Sequence, residues 1–146
     1  MKKTNIENLI ISREIESFIP ISFEGCEFDL DGWGDVDNYT WLDSNTLILL
    51  ECEKGQKHPN TNVLKVWPYL ENNKNIKIIL FQYFFKENKA PKNRVALCGF
   101  TGEKLENQFR NRFQYVQLND QIRDSLNDMK EGLMQQLLTV KKRLKN

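Results

Sequence analysis

Between Gly34 and Lys65 the chain reads GDVDNYTWLDSNTLILLECEKGQKHPNTNVLK, and this stretch holds the residues best suited to chemistry. Glu51 and Glu53 stand two apart at the end of the apolar run LILL. Side chains alternate across a strand, so both carboxylates point to one face and Lys54 to the other. A turn at Asp43-Ser44-Asn45 precedes that run. Antiparallel pairing across it sets Asp37 roughly opposite Glu51, and a slip of one residue would exchange Asp37 for a neighbour. Asp35 is the natural substitute. Carboxylates pooled at one sheet edge repel unless something neutralises them. A hard divalent cation does so, and Mg²⁺, with Mn²⁺ as its substitute, prefers oxygen ligands of this kind. A cation so held by Asp37, Glu51 and Glu53 can activate water and stabilise charge on a phosphate under attack.

The neighbouring candidates are less pointed. Lys65 is expected on the helix after the acids, where its plain reading is a solvated lysine and its sharper one a counter-charge. His58 is the single histidine and sits beside Pro59, as surface residues often do. Gln56 either folds back toward the acids or finishes the turn. Asp29, Asp31, Gly34, Asp35 and Asp37 invite comparison with a helix-loop-helix calcium site. That site needs Asp or Asn at its fifth position and Glu at its twelfth. Trp33 and Thr40 stand there instead, which excludes it.

The elements that must position these residues follow from hydrophobic period and turn signals. Thr4 and Glu7 fit a capping box before Ile6, Leu9, Ile10, Ile11, Ile15 and Phe18, and Pro20 ends that helix. A first strand is expected over Ile21–Leu30, with a bend at Gly25. DGWGD reads as a turn, Val36–Leu42 as a second strand, and Thr46–Glu53 as a third. The third is apolar on both faces, which places it inside a sheet. Pro59 and Asn60 open a helix with Val63, Leu64, Trp67 and Leu70 inward, and Pro68 should kink or end it. Ile76–Phe85 is a fourth strand and Arg94–Phe100 a fifth. Glu103–Arg112 is a short helix, Phe113–Leu118 a sixth strand, and Asn119 or Asp120 caps a long final helix. The class is α/β with a mixed central sheet flanked by helices.

The 146 residues suit one domain spanning 1–146. At 40% hydrophobic residues a core is affordable, and a net charge of +1 neither demands nor excludes a nucleic-acid partner. No apolar run approaches the roughly 20 residues that span a membrane. MKKTNIENLIISREIES begins with a basic pair but lacks the apolar core of a signal peptide. It reads as part of the fold. Cys26, Cys52 and Cys98 show no CxxC spacing and read as buried thiols in a reducing cytoplasm.

The order helix-strand-strand-strand-helix-strand over residues 5 to 85, with GDVD at the second strand and Glu51-Cys52-Glu53 ending the third, resembles the PD-(D/E)xK nuclease superfamily. The resemblance implies a restriction-endonuclease-like α-β-β-β-α-β core, extended here by C-terminal strands and a long terminal helix. It implies a metal-dependent endonuclease that hydrolyses phosphodiester bonds, with double-stranded DNA as partner. Asp37 and Glu51 would be metal ligands. The family's E-x-K lysine is replaced by Glu53, an E-x-E variant in which the glutamate ligates metal or orients water. Lys65 would then serve as the displaced lysine, with Lys57 as a weaker alternative, and Glu14 or Glu16 could add an outer carboxylate. The missing lysine also motivates an alternative: an inactive module of the same fold that binds nucleic acid or a protein. Lys57, Arg94, Arg110 and Arg112 are candidate phosphate contacts. The final helix could pair two copies in a homodimer.

Overall fold

The computed structural model describes residues 1–55 and 57–127. Its elements run α1 (Ile6–Glu16), β1 (Phe28–Asp29), β2 (Asp35–Val36), β3 (Asn38–Trp41), β4 (Thr46–Glu53), α2 (Thr61–Leu64), α3 (Val66–Asn72), β5 (Lys77–Phe84), α4 (Lys92–Gln108) and β6 (Phe113–Leu118). Residues 122–127 are helical as well.

The main sheet has the order β3-β4-β5-β6. β3 and β4 are a hairpin pair, antiparallel. β4 with β5, and β5 with β6, run parallel. Parallel neighbours need crossovers, which α2–α3 and then α4 supply. Every residue of β4 is buried, as its two-sided apolar sequence requires. Ile48, Leu50 and Cys52 face one layer, with Ile11 and Ile15 of α1 and with Ile122 and Leu126. Leu47 and Leu49 face the other, with Val63, Val66, Leu70, Cys98 and Leu105 from α2, α3 and α4. The mixed four-stranded sheet therefore carries helices on both faces. Among the described residues no helix is long and apolar enough to cross a membrane.

Several expectations need correction. Arg94–Phe100 is not a strand but lies within α4, a helix of 17 residues. Valine and phenylalanine in RVALCGF favour strands, yet the crossover from β5 to β6 needs a helix, and tertiary demand overrides local propensity. Its buried stripe, Cys98, Gly102 and Leu105, has helical spacing that the two glycines disguise. The expected strand Ile21–Leu30 shrinks to Phe28–Asp29, which pairs with Asp35–Val36 in a small separate sheet. The Val36–Leu42 strand divides accordingly between β2 and β3. At the N-terminus the cap is Asn5, whose side chain accepts from the Asn8 N–H. Thr4 instead donates its hydroxyl to the Asp37 carbonyl at 2.6 Å.

The helix after Pro59 breaks at Lys65, three residues before Pro68, and Pro68 lies in the first turn of α3, where a missing N–H costs little. The break rephases the inner face. Val63, Val66, Tyr69 and Leu70 are buried, whereas Leu64 and Trp67 are each 40% exposed. Cys26, Cys52 and Cys98 are free thiols, the last two buried. The terminal-helix stripe beyond Leu126, and the dimer it was expected to mediate, lie outside the described residues.

Candidate functional site

The apolar rows of the sheet give way to polar ones near the C-terminal ends of the parallel strands. Glu51 pairs with Gln82, and Gln82 with Gln117, in one row across three strands. Alternation sets these side chains and Glu53 on the face covered by α2, α3 and α4. In open α/β sheets the carboxyl ends of the strands are where ligands bind.

Asn38 pairs with Leu50, so Asp37, one step back, falls beside Glu51 as the hairpin geometry predicts. Asp37 is half-buried, and its Oδ2 accepts from the Cys52 N–H at 2.7 Å. That bond fixes the carboxylate against β4. Glu51 is 4% exposed, and its Oε1 accepts from Lys65 Nζ at 2.8 Å. Glu53 is fully buried. Its Oε1 accepts from Asn62 Nδ2 at 2.6 Å and from Gln82 Nε2 at 3.3 Å. Its Oε2 has no hydrogen-bond partner among the described residues.

Lys65 is not a solvated helix lysine. Its ammonium donates to Glu51, to the Asp35 carbonyl at 2.6 Å and to Asn62 Oδ1 at 3.0 Å. Those three acceptors use all its protons. It reaches them from the break between α2 and α3. Gly34 makes room: a Cβ there would lie 3.0 Å from Lys65 Cδ, and its φ of +148° is one that other residues rarely adopt. Asp35 contributes its backbone carbonyl to Lys65, while its residue is exposed.

Burial governs the acids' proton affinity. It pushes Glu51 well up from the ordinary carboxylate range; Lys65 opposes this, while Asp37 and Glu53 add to it. Burial also raises Glu53, against the Asn62 and Gln82 hydrogen bonds, and Asp37, against the Cys52 N–H. Lys65 acts on all three carboxylates, but burial and their mutual repulsion still put a penalty on full ionisation. Asn62 and Gln82, which bind Glu53, were not among the sequence candidates. Gln82 in the run KIILFQYF, the lone polar residue in a strand otherwise buried and apolar after Lys77, was the signal available.

The remaining candidates separate by position. Lys57 and His58 are exposed just past β4, and Arg94 Nη1 lies 3.1 Å from His58 Nδ1. These three sit at the same end of the sheet as the acids. Arg110 and Arg112 do not. Arg112 precedes β6, and its carbonyl accepts from Ile78 at the start of β5. That is about 13 Å of strand away from Gln82 at 3.3 Å per residue. Moreover, the Arg112 guanidinium donates to the carbonyls of Ile76, Leu70 and Asn73, so it staples loops together and is committed away from phosphate. Glu16 accepts from the Phe23 N–H, and Glu14 acts on Tyr83, so both belong to the other face of the sheet. They add no outer carboxylate.

Among the described residues no three acidic, thiol or imidazole side chains are gathered tightly enough to form a finished metal cage. The three carboxylates offer only oxygen donors, the kind a hard cation prefers, and a buried Glu53 oxygen has no described partner. Compared with known proteins, the chain matches no family model, no curated protein and no solved structure.

Proposed function

We propose that the chain is a Mg²⁺-dependent endonuclease of restriction-endonuclease-like architecture that hydrolyses phosphodiester bonds in double-stranded DNA. The observation that carries this reading is that buried Glu51 and Glu53 and half-buried Asp37 share one sheet face, with the Lys65 ammonium acting on all three. A divalent cation would offset the repulsion among these carboxylates. Asp37, Glu51 and Glu53 would hold it, and Mn²⁺ would substitute. When bound, such an ion supplies Lewis acidity and a water of lowered pKa at the scissile phosphate.

The chain's own groups divide the rest of the work. Asp37 is held rigid by the Cys52 N–H and, through its carbonyl, by Thr4. Glu53, whose buried Oε2 has no described partner, would complete the oxygen set around the ion. Lys65 limits repulsion at Glu51 and holds its orientation. Lys57 and Arg94, at the rim of the same end, would contact the DNA backbone.

Incubating supercoiled plasmid with the protein and Mg²⁺ or Mn²⁺ tests this. Nicking or linearisation that requires the metal and disappears in Glu51→Ala and Asp37→Asn is expected. Cleavage persisting in both variants would remove the assignment. A second reading, a non-catalytic module of this fold that binds nucleic acid or a protein partner, is favoured by the Glu51–Lys65 ion pair, which already neutralises one ligand. It predicts DNA retention on a gel without cutting under either metal, and a metal-dependent nick defeats it.

A further inference from the structure

We propose that Glu106 closes the open edge of β6: its carboxylate holds the Tyr115 N–H, the donor at the centre of that edge, and so keeps the β6 strand of a second copy from adding to the sheet. The role needs no metal and stands apart from the endonuclease reading.

The sheet order β3-β4-β5-β6 leaves β3 and β6 as edge strands. An edge strand offers its unpaired N–H and C=O groups to any other strand. β3 is covered by the chain that precedes it, where the Glu24 N–H donates to the Tyr39 carbonyl at 2.8 Å. β6 has β5 on one side and, among the described residues, no strand on the other. Register decides which of its groups face outward. Ile78 lies beside Phe113, and the Ile78 N–H donates to the Arg112 carbonyl at 2.8 Å. In a parallel pair a residue bonds to the two neighbours of its partner, and the bonds repeat at even spacing. Ile78 thus bonds to Arg112 and Gln114, Leu80 to Gln114 and Val116, and Gln82 to Val116 and Leu118. Phe113, Tyr115 and Gln117 turn their N–H and C=O groups away from β5.

Two of these three outward donors are taken. The Phe113 N–H donates to the Phe109 carbonyl at 3.1 Å. The Tyr115 N–H donates to the carboxylate of Glu106, half-buried on α4. Burial raises the proton affinity of Glu106, the bond from Tyr115 opposes this, and the charge of Glu103 adds to it. Gln117 keeps an outward N–H with no described backbone partner. The self-complementary way to extend this edge is antiparallel, with Tyr115 against Tyr115 on a two-fold axis and Phe113 against Gln117. In that central pair each Tyr115 would give its N–H to the other. Glu106 withholds the donor in both copies. It would also bring two carboxylates to one axis, where like charges repel.

The test follows the Tyr115 amide by NMR-detected hydrogen exchange, and self-association by sedimentation, over a protein concentration series in wild type, Glu106→Ala, Glu106→Gln and the control Glu103→Ala. In wild type and Glu103→Ala, slow exchange at Tyr115 that does not change with concentration is expected. In dilute Glu106→Ala that amide should exchange about tenfold faster, the scale of a lost hydrogen bond to a charged group. At higher concentration the variant should associate and the amide regain protection. Glu106→Gln keeps an acceptor without the charge, so it should hold the amide and associate less than Glu106→Ala. Unchanged exchange at Tyr115 in Glu106→Ala overturns the proposal. So does a freed amide without association, association that leaves the amide exposed, or a Glu103→Ala that associates equally well. Wild-type protection at Tyr115 that grows with concentration also overturns it, because the edge would then be open.

Discussion

At Glu53 two oxygens of one carboxylate live in different surroundings, one doubly bonded and the other without a described partner. An unsatisfied buried polar atom costs about 1–3 kcal/mol. Glu53→Gln keeps the shape and leaves an amide atom where Oε2 stood, but it removes a charge that burial disfavours, so the metal-free variant should be more stable than wild type at neutral pH. Mg²⁺ should stabilise only the wild type and narrow the gap; thermal melts with and without the ion check this. The pH dependence has a definite sign. Asp37, Glu51 and Glu53 are all raised by burial above their ordinary values of 3.8, 4.5 and 4.5. Between the ordinary and the raised values the folded state binds more protons than the unfolded one, so these groups lose stability as pH rises. Their contribution is fully favourable below the ordinary range. The stability difference between Glu51→Gln and metal-free wild type should therefore grow from acid to neutral pH. Urea titrations across that window that show a constant difference would refute it.

At the scale of elements, α4 is seated on the sheet through Gly102, where any larger residue meets the Tyr115 ring. Gly102→Ala must displace α4 or Tyr115, and overpacking of this kind costs about 1–3 kcal/mol. Denaturation midpoints should fall accordingly. Arg112 performs the corresponding task at the far end, where one guanidinium satisfies three carbonyls of the α3–β5 connection. Arg112→Ala should lower stability by about 1–3 kcal/mol. It should leave Mn²⁺ affinity and DNA affinity per folded molecule intact. A selective loss of DNA binding in that variant would restore Arg112 as a phosphate contact.

At the scale of the whole molecule, a net charge of +1 hides an uneven distribution. The C-terminal edge of the sheet holds the acids, with Lys57 and Arg94 at its rim, whereas Arg110 and Arg112 lie at the opposite edge. DNA engaged at the acids should feel the first pair and not the second. Lys57→Ala and Arg94→Ala should each flatten the salt dependence of DNA binding by about 0.9 in log–log slope, and Arg110→Ala should not. Fluorescence anisotropy over a salt series measures this directly.

Much of this architecture is legible in the chain itself. Thr46–Glu53 and Phe113–Leu118 appear with their ends correctly placed, because a two-residue period or a continuous apolar run is a local signal. The hairpin that brings Asp37 beside Glu51 follows from a short turn and register, again local properties. Other features depend on residues far apart in sequence. RVALCGF becomes helix because β5 and β6 run parallel, which no property of those seven residues contains. Lys65 becomes an ion-pair partner because the helix break and Gly34 deliver it to Glu51, and Gln82 meets Glu53 only through parallel strand pairing. The sequence alone thus determined the bounds of β4 and β6 and the shared face of Glu51 and Glu53; the tertiary structure decided which other segments are strands or helices and which cation and amides surround the acids, since those contacts exist only once distant segments are packed together.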